Sequence, residues 1–299
     1  MSREQLHAIL QASAENPPPQ TPDPAALRAW FEGINAATPV VEEATTYNLS
    51  VGPCEAEMVR LPDSNENTLL IYYHGGGFLF GSPRSHRVIT SNLARTTGSP
   101  VLSVDYRLAP EHPAPTAHDD AFAAYQWALD QGYSASAIAL GGDSAGGNLA
   151  LSTAVRARDS GLPRPCALVL LSPALDLAGD GESHHSETGA PLLTPELMEL
   201  FNGIYLGNSD RRSHRVTPFY SDMSGLPPAL IHVGSWELLR DDSITITDRL
   251  NAAGSSAELK VWDGMCHSWQ LFAPFLEEGM ASVEEAGLFV RNLFASKQD

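Results

Sequence analysis

Positive charge is scarce in this 299-residue chain, with 18 lysines and arginines against 36 aspartates and glutamates and a formal charge of −18. Lys260 and Lys297 are its only lysines. Such an excess of anions repels nucleic acid and anionic membrane surfaces at long range, so neither is expected as a partner. The near-absence of lysine reads as a compositional bias, with salt tolerance as the alternative. Cysteine is equally sparse. Cys54, Cys166 and Cys266 are odd in number, far apart and without a C-x-x-C pair, so neither a disulfide framework nor a zinc site is expected, and a reducing cytoplasm suits them. No run of 18 apolar residues occurs that could span a bilayer. Met1 to His7 show neither a basic n-region nor an apolar h-region, so no secretory leader is expected. Internal repeats and long low-complexity segments are also missing. What is present is 43% hydrophobic residues, enough to bury a large core in water.

Those residues fall into strand-length segments at Thr45 to Val51, Glu55 to Leu61, Thr68 to Tyr73, Pro100 to Tyr106, Ala137 to Gly141, Ala167 to Ser172, Ala229 to Gly234 and Glu258 to Trp262. Helical spacing predicts helices over Ser85 to Thr97, Ala117 to Gln131, Gly146 to Arg158 and Asp241 to Ala253, with Ser282 to Ala295 closing the chain. This alternation calls for an α/β fold: an eight-stranded, mostly parallel sheet with helices on both faces. Gly52-Pro53 joins the first two strands as an antiparallel hairpin at the sheet edge.

Two segments stand outside the alternation. Residues 1–44 carry helical patterns at Arg3 to Ala14 and Asp23 to Ala36, divided by Pro17-Pro18-Pro19 and Pro22, with Asp23 as N-cap before Pro24. They are either a packing extension or part of a cap over a site, and Trp30 and Phe31 suit both arrangements. Residues from about 176 to 225 hold a polar loop, Gly179 to Gly189, a helical pattern from Pro195 to Tyr205 and a basic cluster, Arg211 to Arg215. An insertion at this point suits a cap above the strand ends. The basic cluster is a solvated face or the rim of a site for an anionic substrate.

The chemistry concentrates at Gly142-Asp143-Ser144-Ala145-Gly146, where an apolar strand runs into a helix. Glycines on both sides let the chain turn sharply and thrust Ser144 outward, while the following helix points its N-terminal amides at the reacting centre. A Gly-x-Ser-x-Gly pattern alone is common; the strand before it and the helix after it give it meaning. A second trace lies at His74-Gly75-Gly76-Gly77-Phe78, directly after the strand Leu69 to Tyr73, where consecutive glycines let backbone N–H groups face a substrate oxygen.

These two motifs, with Asp105-Tyr106-Arg107-Leu108-Ala109-Pro110-Glu111-His112-Pro113, Val233-Gly234-Ser235-Trp236-Glu237 and His267, resemble in order and spacing the hormone-sensitive-lipase-like (family IV) esterases of the α/β-hydrolase fold. Ser172-Pro173-Ala174-Leu175-Asp176-Leu177 and His267-Ser268-Trp269-Gln270-Leu271-Phe272 look most like bacterial acetyl esterases and monoterpene ε-lactone hydrolases. The resemblance spans nearly everything after residue 45, making residues 45–299 the catalytic domain. It implies Ser144 as nucleophile, with the N–H groups of Gly76, Gly77 and Ala145 as oxyanion hole and Gly75 permitting the turn. Because the family orders its triad as serine, acid, histidine, His267 is the implied base. Glu237 stands where the family usually has aspartate and is the expected acid, with Asp241 as the alternative. His74 is expected to support the glycine loop, Arg107 and Glu111 to tie the proline-rich turn, and the other histidines, His184 and His185 among them, to be surface or structural. Cys266 is expected to be a packing residue.

The resemblance further implies hydrolysis of carboxylic esters through an acyl-enzyme, without metal or cofactor; the lack of an amphipathic lid beside a large apolar patch suggests short to medium acyl esters, and a cytoplasmic monomer or homodimer is expected. Phe78, Phe80, Tyr205, Phe219, Trp236 and Trp269 are candidates for the wall of the substrate pocket. A monoterpene ε-lactone hydrolase is the alternative enzyme, amide or peptide hydrolysis stays open, and a non-catalytic ligand-binding protein on an esterase scaffold is the alternative from another class.

Overall fold

The strands are β1 (Thr45–Val51), β2 (Cys54–Arg60), β3 (Leu69–Tyr73), β4 (Val101–Asp105), β5 (Ile138–Asp143), β6 (Ala167–Leu171), β7 (Ala229–Gly234) and β8 (Ala257–Trp262). In the computed structural model, which describes residues 2–19, 23–35, 38–186 and 190–296, they form one sheet in the order β1-β2-β4-β3-β5-β6-β7-β8. β2 pairs antiparallel with β1 and β4, and every pairing from β4 to β8 is parallel. Pro22, the expected helix end at Ala36 and the end of the polar loop at Gly189 lie outside the described residues.

The helices are α1 (Ser2–Glu15), α2 (Pro24–Asn35), α3 (Arg87–Thr97), α4 (Thr116–Asp130), α5 (Ala145–Asp159), α6 (Ser183–Ser186), α7 (Pro195–Leu206), α8 (Arg240–Ala252) and α9 (Glu277–Ala295). Successive strand side chains point to opposite faces, and the two cores follow that period of two. Leu69, Ile71 and Tyr73 of β3 join α4, α5 and α8 in one core; Leu70 and Tyr72 join α3 and α9 in the other. Buried on both faces, β3, β5, β6 and β7 are apolar almost throughout. Among the described residues no helix is long and apolar enough to cross a membrane.

Two elements differ from the sequence expectation. α9 begins at Glu277, five residues before Ser282, because Gly279 is no breaker here: a Cβ on it would lie 2.9 Å from the Ala273 backbone, so the close approach of the first turn requires glycine. The segment expected as a polar loop contains the short helix α6, held by the buried contact of His184 Nε2 with Asp242 Oδ1 at 2.7 Å.

The N-terminal helices divide their contacts. Leu6 of α1 packs with Trp262, Met265, Cys266 and Trp269 behind the loop that follows β8. On α2, Arg28 donates to the carbonyls of Leu79 and Ala109 and pairs with Glu111, and Phe31 meets Phe80 with ring centroids 4.9 Å apart. Phe80 in turn meets Phe201 of α7 edge-on at 5.6 Å, so an aromatic line joins the N-terminal segment to the insertion. α7 itself starts where Thr194 caps the Leu197 amide and Pro195 opens the first turn.

Candidate active site

At the C-terminal end of β5 the chain reverses at Ser144, with φ of 51° and ψ of −120°, and α5 starts at once. A non-glycine residue in this region is strained by about 1–3 kcal/mol, and the surrounding packing has to hold it there. Gly146 shows how tight that packing is: a Cβ on it would lie 1.8 Å from the Tyr73 carbonyl oxygen. Gly146→Ala should therefore destabilise the protein by about 3 kcal/mol, read as a fall of roughly 5–10 °C in Tm. Parental stability in that variant would mean that β3 and the elbow can part at little cost.

The glycine loop after β3 is tied to the elbow through one buried carboxylate. Asp143 Oδ1 accepts from the Tyr72 hydroxyl at 2.8 Å and from the Gly75 amide at 3.0 Å, and His86 Nε2 stands 3.6 Å away. Burial works to raise the Asp143 carboxyl, but the facing His86 ring and the Tyr72 hydroxyl outweigh it and hold the group below its ordinary value. His74, driven down to about 3 by burial, is neutral; its Nδ1–H donates to the Gly75 carbonyl at 2.7 Å, and Tyr106 donates to the His74 carbonyl. Among the described residues, the amides of Gly76, Gly77 and Ala145 donate to no acceptor of the chain. Gly76 has φ of 112° and a Cβ there would lie 2.1 Å from the Phe80 carbonyl oxygen, so this exposure of N–H groups depends on glycine.

His267, on the loop after β8, places Nε2 2.9 Å from Ser144 Oγ. Its Nδ1 faces Glu237 Oε2 at 3.7 Å, a long contact of the kind that catalytic pairs show before substrate binds. Glu237 follows β7, is fully buried, and is raised by that burial, with His267 and the Ser172 hydroxyl offsetting only part. The neighbouring carboxylates face elsewhere. Asp241 accepts the Ser183 amide at 2.8 Å, and Asp242 binds His184 and the amides of Leu175 and Asp176. Of the three carboxylates after β7, Glu237 alone is brought to His267.

The aromatic residues separate into two groups. Phe78, Tyr205 and Trp269, expected as pocket wall, are instead packed in the interior. Phe78 and Tyr205 stack at 4.0 Å, and Trp269 donates from Nε1 to the Glu278 carbonyl beside Trp262. The reason for Tyr205 is its hydroxyl. Asn148 spends its amide N–H on the Ala174 carbonyl, so its Oδ1 accepts from His118 Nε2, leaving His118 Nδ1 to accept the Tyr205 hydroxyl at 2.7 Å. Burial holds His118 down at about 4, which keeps it neutral. Phe80 and Phe219 are half-buried and Trp236 is 39% exposed. Phe201, which sequence reasoning passed over, lies against the glycine loop: a Cβ on Gly77 would meet its ring at 2.8 Å. Its signal was available, since Phe201 sits four residues before Tyr205 on the same helix face.

The remaining candidates have plain roles. Arg211, Arg212 and Arg215 pair with Glu199, Asp180 and Asp119, and Arg107 with Asp120, so the basic cluster spends these charges within the chain. Cys266 is buried and its thiol is pushed up to about 12, which leaves it unreactive. Among the described residues no three His, Cys, Asp or Glu side chains converge as a metal site.

A serine at a strand-to-helix elbow, at the strand ends where the β4-β3-β5 order reverses direction, stands where α/β enzymes of this topology gather their sites. Residues 70–271 match the α/β hydrolase fold family. The chain is 40% identical over 245 residues to an acetyl-hydrolase of Streptomyces hygroscopicus, covering 81% of each, and 32% identical over 288 residues to an esterase of Acinetobacter venetianus, covering 96% of this chain and 95% of that one. A crystal structure of an esterase from the bacterial hormone-sensitive lipase family superposes with a TM-score of 0.94 at 39% identity, covering 97% of this chain and 98% of that one. The chain belongs to the α/β-hydrolase fold family, in its hormone-sensitive-lipase-like branch.

Proposed function

We propose that the protein is a carboxylesterase that cleaves esters of short to medium acyl length with Ser144, His267 and Glu237. The observation that carries this reading is the 2.9 Å contact between His267 Nε2 and Ser144 Oγ at a strained elbow. An intact serine–histidine pair of this kind also opposes a non-catalytic binding role. His267 takes the Ser144 proton as Oγ attacks the ester carbonyl, and the oxyanion settles on the Gly76, Gly77 and Ala145 amides. Collapse breaks the bond to the alcohol oxygen, which receives the proton from His267, and leaves an acyl group on Ser144. Water then attacks the acyl-enzyme, giving its proton to His267, and the second collapse returns that proton to Ser144 and frees the acid. Glu237 stays ionised and stabilises the imidazolium in both halves.

The insertion of residues 176–225, with α2 leaning on it through Phe80, acts as the cap, while α1 is packing behind the His267 loop. Phe201 against Gly77 favours a confined acyl side, in keeping with relatives that include an acetyl-hydrolase. The three cysteines are buried and form no disulfide, which suits a cytoplasmic enzyme acting as monomer or homodimer on small-molecule esters. The test is kcat/KM for p-nitrophenyl esters from acetate to palmitate. Values should peak among the short esters and drop by about tenfold or more at palmitate, since each methylene beyond the confined pocket loses its burial. A peak at palmitate would sink the size assignment, and failure on every ester would sink the whole reading.

A further inference from the structure

Ser172 is an unusual residue to find directly after a central strand. It is fully buried and has φ of 43°, a conformation that glycine adopts without strain and serine does not. Its amide donates to the His232 carbonyl at 2.7 Å, which carries the parallel ladder between β6 and β7 one residue beyond the strand end. Its hydroxyl donates to Glu237 Oε2 at 2.9 Å and accepts the Ser268 amide at 3.3 Å. One hydroxyl therefore touches both the acid and the residue following the base. Glu237 needs such support: Oε1 has no hydrogen-bond partner, Nδ1 of His267 is 3.7 Å from Oε2, and Ser172 is the one side chain within hydrogen-bond distance of the carboxylate among the described residues.

We propose that Ser172 is a positioning residue whose hydroxyl holds Glu237 turned toward His267 and keeps the loop carrying His267 in register with it. The inference rests on the Ser144–His267–Glu237 reading. A strained serine in place of an unstrained glycine makes sense if the hydroxyl is what the site requires. Donation to the charged oxygen also opposes the burial that raises the Glu237 carboxyl. Among the described residues, the titratable groups facing Glu237 are His267 and the buried Cys266 thiol, both on the loop after β8. On its own segment, Arg240 turns to the Ser235 carbonyl and Asp241.

Removing the hydroxyl leaves the carboxylate with greater proton affinity, so a proton binds the coupled acid–histidine pair at higher pH and the acid limb of kcat moves upward. Ser172→Gly and Ser172→Ala separate the two roles of the residue, because both delete the hydroxyl while only glycine relieves the backbone. With p-nitrophenyl butyrate, both should lower kcat about tenfold at neutral pH, leave KM within about twofold and shift the acid limb up by about one pH unit. A parental acid limb in folded Ser172→Gly would overturn the proposal, as would recovery of parental kcat by glycine but not by alanine, which would assign the residue to backbone shape. If glycine at 172 prevents folding, the acid limb of Ser172→Ala decides in the same way: an upward shift supports the positioning role and a parental limb overturns it. Glu237→Gln, measured beside them, keeps the two readings apart. Full activity there would fail the triad itself, whereas its loss with unchanged Ser172 variants would fail this inference alone.

Discussion

Ser144→Ala should leave a folded protein whose kcat on short acyl esters is lower by about five to six orders of magnitude. In the proposed mechanism Ser144 contributes the atom that bonds to substrate, and the 2.9 Å partner on His267 has nothing to deprotonate once Oγ is gone. The residual rate should remain above that in water, since the Gly76, Gly77 and Ala145 amides still receive a developing oxyanion. Stability should scarcely change, because alanine at φ of 51° carries about the same strain as serine. Thermal unfolding and single-turnover kinetics on the same preparation check both halves. A Ser144→Ala enzyme within tenfold of the parent would remove the nucleophile assignment altogether.

Glu237→Gln should cost about four orders of magnitude in kcat with KM little altered. The carboxamide is nearly isosteric, so the site stays filled, but it cannot stabilise an imidazolium and it offers an N–H where a carboxylate faced His267 Nδ1. Asp241→Asn makes the matching comparison. Asp241 accepts the Ser183 amide and stands at the start of α8, so its loss should lower stability by about 1 kcal/mol and leave kcat close to the parent. Should the two variants exchange behaviours, the acid would be Asp241, and β7 would have to deliver its loop differently from the observed geometry.

Much of this protein was legible without coordinates. The order of eight strand-length segments and their intervening helices predicted the sheet, because side-chain period depends on neighbours only a few residues away. The elbow at Ser144 and the glycines at 75–77 were legible for the same reason: a turn that forbids a Cβ announces itself in glycine. Gly279 marks the limit of that logic, since its glycine answers to Ala273 across a turn, and so the first part of α9 was missed.

What the tertiary structure decided was partnership. Three carboxylates follow β7 within six residues, and nothing local distinguishes them; sheet order and the return of the chain through β8 bring His267 to Glu237 and leave Asp241 to Ser183. Aromatic residues show the same division. Tyr205 is a candidate for the pocket wall as an aromatic side chain, yet its hydroxyl finds His118, 87 residues earlier, and is drawn into the interior. Ser172 looked like the end of a strand until β6 and β7 set its hydroxyl on a carboxylate 65 residues away. Residue spacing determined which elements form and where the chain turns sharply at Ser144. The choice among chemically equivalent side chains waited on the fold, because hydrogen bonds and burial are settled by distances of a few ångströms between residues far apart in the chain.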